Sequence, residues 1–219
     1  MTQANVLDTK DCRDILQDMS KAVAPRPDSA MWMSTRSSMK SLGPPKIQVF
    51  DAAGIYTVVL AQDPRDIPSA LSQVPRSKRP VLNPALFEAY ARWYPGWTIS
   101  LCCFGQRRAR LANPLLWWYE PMHPDRLFLP AVDCHTGDVP DLEVGVAVDH
   151  VVAVGSYRMN GGHDVYYRNT IPEAVSRCLC PTAIGQRYSG TMPNGDFVCR
   201  LEDVRRGLFA PARVKPVAA

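Results

Sequence analysis

No stretch of this sequence approaches the ~20 consecutive apolar residues that a bilayer-spanning helix needs, so no transmembrane helix is expected. Several catalytic signatures are missing as well. There is no Gly-x-Ser-x-Gly elbow, no Walker-type phosphate loop, no His-Glu-x-x-His pair and no Cys-x-x-Cys knuckle. The opening residues, MTQANVLDTKD, have neither a basic start nor an apolar core, and the expectation is a protein without a secretory signal that works in the cytoplasm. Charge of one sign is also scarce. A net charge of +4 over 219 residues does not by itself hold a phosphate backbone.

Cysteine is present but badly arranged for a disulfide framework. The count of seven is odd, and Cys102–Cys103 and Cys178–Cys180 lie too close in sequence for ordinary bridging. Reduced thiols are the expected state. Apolar residues make up 46% and charged residues 21%, the balance of a folded chain. The 20 prolines are scattered, which reads as many loops between short elements.

Residues 9–23 read as an amphipathic helix. Cys12, Ile15, Leu16, Met19 and Val23 recur at helical spacing, Asp8 or Thr9 can cap, and Pro25 stops it. Residues 24–45 run through Pro, Ser and Met to a Gly43-Pro44-Pro45 turn, so residues 1–45 are read as an N-terminal helix and mobile arm and residues 46–219 as the body. The body opens with a hairpin signal over 46–50 and 54–62, followed by a short helix near 67–74. The clearest helix covers 84–94, with Asn83 as cap and Pro84 in the first turn. Strands are expected at 97–104, 114–120, 126–134 and 143–156. Thr170-Ile171-Pro172-Glu173 has the letters of a capping box, and a short helix is expected near 201–207. Helices before and after a run of strands predict an α+β fold, a single domain with a mainly antiparallel sheet flanked by helices.

The segment FLPAVDCHTGDVP carries the densest chemistry. On a strand, Asp133 and His135 share a face while Cys134 points away, so Cys134 is a weaker nucleophile candidate than its adjacency to a histidine suggests. Asp133 can instead orient the His135 imidazole or share a divalent metal with it. In EVGVAVDHVVAVGS the alternation sets Asp149 on a face of small residues and His150 in a row of valines, where a core histidine is expected. Pairing of the two strands would bring Asp133, His135 and Asp149 together as a carboxylate–imidazole cluster suited to a small hydrolase, with or without a metal.

Two other features point to binding. Trp117 and Trp118 lie on opposite faces of an aromatic strand next to a loop holding Arg107, Arg108 and Arg110, a combination that single-stranded nucleic acid binding uses. In the arm, Ala30-Met31-Trp32-Met33 offers Trp32 and Met33 as an adaptable apolar contact. The leading expectation is a binding or interaction protein with a protein partner or a small homo-oligomer. The hydrolase and nucleic-acid readings stand as alternatives, and no membrane partner is expected.

Overall fold

The structure is a computed structural model that describes residues 1–24, 46–105 and 113–216. It is an α+β fold in which every strand pairing is antiparallel. Among the described residues the expected single sheet is divided into four small ones.

The hairpin of β2 (Ile47–Ala52) and β3 (Tyr56–Ala61) forms where expected, and β4 (Ile99–Cys103) pairs along the other side of β3. The apolar run of β3 fits a strand covered twice, and Val58, Val59, Leu60 and Ala61 are all buried. On one face, Val59 and Ala61 pack with Ile67 and Ala70 of α2 (Ile67–Ala70) and Phe87 of α3 (Pro84–Trp93). On the other face, Val58 and Leu60 meet Val6 of β1 (Val6–Leu7) and Leu115 beside β5 (Leu116–Trp117). Cys103 joins the first cluster and Cys102 the second, as strand alternation requires. The Asn83 side chain accepts a bond from the Ala85 amide at 3.0 Å, so the start of α3 is the capped one the sequence predicts.

The N-terminal helix is shorter than its periodicity suggests. α1 covers Ile15–Ala22, and Leu16, expected inward, is 60% exposed. Thr9 does not cap it, because its hydroxyl is buried and donates to the Pro114 carbonyl. β1 pairs with β5, and Ile15 of α1 packs with Val175 and Leu179, so residues 1–24 share cores with the body.

The remaining strands form two further sheets. β6 (Arg126–Leu129), β10 (Asp196–Arg200) and β11 (Ala212–Val214) lie in the order β11-β10-β6. A long ribbon joins β7 (Gly145–Val154) to β9 (Thr182–Pro193), and β8 (His163–Asp164) covers only the start of β9. The base of the ribbon is sandwiched. Val151 and Ala153 face Val23 at the end of α1, while Val154 and Ile184 pack with Cys199 of β10 and Val204 of α5 (Leu201–Arg205). Thr170 makes no cap for α4 (Glu173–Ser176), which is a single turn beginning after Pro172.

Candidate functional site

The segment from Pro130 to His135 is not the strand its letters predict. β6 ends at Leu129, because Pro130 has no amide to continue the ladder. Two side chains, Asn194 in the turn between β9 and β10 and Asp196 at the start of β10, take over the role of a neighbouring strand. Asp196 is 1% exposed and accepts the Ala131 amide at 2.8 Å and the Val132 amide at 3.2 Å. Asn194, fully buried, accepts the Asp133 amide at 2.9 Å and donates to the Asp133 carbonyl at 3.0 Å. From α3, the Tyr94 hydroxyl donates to the second Asp196 oxygen at 2.6 Å.

Asp133 and His135 do meet, through a turn rather than along a strand face. The Asp133 carboxylate accepts the His135 amide at 2.9 Å, and its oxygen lies 2.5 Å from the imidazole Nδ1. The amide bond first, and the imidazole second, hold the Asp133 carboxyl below the usual carboxylate range, and the charge of His150 adds a smaller pull. A carboxylate can only accept, so the proton of a neutral His135 sits on Nδ1 and leaves Nε2 as a base. The side chain of His135 is 78% exposed, with no cavity walls around the ring to exclude water.

The Cys134 thiol faces α3. Among the described residues its hydrogen-bond partner is the Tyr90 hydroxyl at 3.1 Å. Burial first, and the bond to Cys134 second, push Tyr90 well above the usual phenol range, so its hydroxyl is no base for the thiol. Among the described residues no imidazole or carboxylate hydrogen-bonds Cys134, so the base that an activated nucleophile needs is not beside it there. Tyr90 stacks on Tyr94 with ring centroids 5.6 Å apart, and Tyr94 and Trp97 both pack on Phe128 of β6.

Asp149 does not join Asp133 and His135. Strand alternation sends Asp149 to one side of the ribbon, where its oxygens lie 2.7 and 2.8 Å from Arg187 of β9. The opposite side carries His150, paired in register with Tyr188, and it is the His150 charge that reaches Asp133. Among the described residues no group of three or more His, Cys, Asp or Glu side chains is placed to hold a metal ion. The expected metal cluster of Asp133, His135 and Asp149 is thus corrected to a dyad and a separate surface ion pair. His150 is likewise corrected, since it is exposed rather than a core residue. The valine row predicts burial, and Val148 and Val154 on that face are buried, but His150 between them is left exposed.

Trp117 and Trp118 are both half-buried. The Trp118 amide donates to the Asn5 carbonyl at 3.0 Å, which ties this strand to the N-terminus. Tyr119, just beyond β5, is exposed. Trp32, Met33, Arg107, Arg108 and Arg110 lie outside the described residues. No helix of the described residues is long and apolar enough to cross a membrane.

Comparison with known proteins adds no relative: no family model, curated protein or solved structure matches the chain. The residues that sequence reasoning missed are Tyr90, Tyr94, Asn194 and Asp196. The only signal for the last two is Pro193-Asn194-Gly195-Asp196, since Asn and Asp at turns readily bond backbone groups, although those bonds are ordinarily local.

Proposed function

We propose that the chain is an interaction protein that pairs with a second copy of itself along the outer edge of β7. The observation that carries this reading is the state of that edge. β7 is ten residues long and ends its sheet, and β9 is its only backbone partner among the described residues. An edge of this length offers a row of free amides and carbonyls to another strand. Its sequence, GVAVDHVVAV, has no proline or lysine to discourage pairing, and its single carboxylate, Asp149, is matched by Arg187. Val144 and Ala147 are exposed beside it. A two-fold axis normal to the ribbon sets two β7 strands antiparallel and satisfies both edges at once, which suits a small homo-oligomer. A reducing compartment such as the cytoplasm suits the seven free thiols.

Sedimentation equilibrium over a wide concentration range tests this reading. The native chain should dimerise, and Val144→Lys combined with Ala147→Lys, both at exposed positions, should remain monomeric with an unchanged circular dichroism spectrum. A native chain that stays monomeric throughout overturns the proposal.

One observation favours a second reading, a weak hydrolase. Asp133 orients His135 with Nε2 open to solvent, the arrangement of a general base. That reading requires ester hydrolysis that saturates with substrate and is lost in His135→Ala. Hydrolysis unchanged by the substitution rules it out.

A further inference from the structure

Seven free cysteines differ in what surrounds them. Cys12, Cys103 and Cys199 are buried in apolar clusters, Cys102 packs against one, and Cys134 is engaged with Tyr90. Cys178 and Cys180 differ from these, because both line one cleft of about 210 Å³ together with Met19 of α1. The other walls include Ile15, Leu116 and Leu179, and the one hydroxyl present, that of Thr9, already donates to the Pro114 carbonyl. Residues carrying two thiols and a thioether thus line one cleft whose lining holds no imidazole or carboxylate.

The backbone that carries the two thiols is held from two sides. The Tyr157 hydroxyl donates to the carbonyls of Arg177 at 2.9 Å and Leu179 at 2.7 Å, and the Tyr167 hydroxyl donates to the Cys180 carbonyl at 3.1 Å. These bonds also occupy carbonyl oxygens that would otherwise favour a hard cation. Beneath the loop, a side chain at Gly155 would come within 2.7 Å of Cys180 Cβ and 3.3 Å of its sulfur, so glycine leaves the space the thiol uses. Cys178 is exposed and Cys180 half-buried, giving the site one open side.

We propose that Met19, Cys178 and Cys180 form a binding site for a soft monovalent cation of the copper(I) class. Sulfur ligands select such ions over divalent zinc or magnesium, and two thiolates with one thioether suit their low coordination number. Binding replaces two S–H bonds with two S–Cu bonds and releases two protons to solvent, and no atom changes oxidation state. Affinity consequently rises with pH, by up to about a hundredfold per unit while both thiols are protonated in the free protein. The site does not depend on pairing along β7, and a monomeric chain would retain it.

Reduced full-length protein is titrated without oxygen against the coloured copper(I) complex of bicinchoninate. The native chain should withdraw one equivalent of copper. Cys178→Ser with Cys180→Ser should lose more than the roughly 10–100-fold in affinity that removal of an outer-shell partner costs. Cys178→Ser alone sits at an exposed position and should also weaken binding while leaving the melting temperature unchanged. Met19→Leu should weaken it to a lesser degree, and Cys134→Ser should leave it intact. A native chain that withdraws no copper, or a double variant that withdraws it as well as the native chain, overturns the assignment.

Discussion

Asn194 and Asp196 do for residues 131–133 what a neighbouring strand does for β6. Each is buried, and each uses its full side chain on backbone or on a tyrosine hydroxyl. Asn194→Ala leaves the amide and carbonyl of Asp133 without partners and should cost about 2–3 kcal/mol in chemical denaturation. Hydrogen exchange of the Asp133 amide should accelerate, and unchanged protection there would contradict the role given to Asn194. Asp133 itself gives a pH-dependent contribution. Its folded carboxyl titrates below the unfolded value, so the contribution is full above the ordinary aspartate pKa of about 3.9 and is lost as pH falls through the lower folded value. The stability difference between the native chain and Asp133→Asn should therefore be constant near neutrality and shrink in acid. A difference that grows in acid would reverse the sign and reject the contribution.

At the scale of elements, most helices and strands follow their letters, and their ends do not. The hairpin of β2 and β3 and the capped start of α3 depend on neighbours in sequence, which a single sequence displays. The end of β6 is set partly by Pro130, which is legible, and partly by side chains more than 60 residues away, which are not. His150 shows the same limit. Alternation places it correctly on a face, but nothing local tells how far along the ribbon that face is covered. Alternation also separates Asp149 from His150, and this legible fact divides the expected cluster once the ribbon is in place. Gly185 lies at a close approach of the two strands of the ribbon. A Cβ there would clash with the Val152 carbonyl oxygen and lie 2.8 Å from Ala153 Cα. Gly185→Ala should force the two strands apart and destabilise the protein by about 1–3 kcal/mol, read as an earlier denaturation midpoint. An unchanged midpoint would mean that the ribbon yields easily at its base.

For the whole molecule, the regions packed on both sides and the edge proposed to pair are different. The β2-β3-β4 sheet is covered on both faces, and Asp196 at the start of β10 ties the end of α3 to the chain after β6. The ribbon is packed most fully near its base, and its outer half carries exposed Ala147, Asp149 and His150 beside buried Val148. A mainly apolar edge, ten residues long and unpaired among the described residues, gains most from a second strand. Hydrogen exchange along β7 as protein concentration is raised reads this pairing directly. The account expects alternate amides of Gly145–Val154, those facing away from β9, to become protected with concentration while β3 amides do not change. Outward-facing β7 amides that exchange at one rate at every concentration would contradict it.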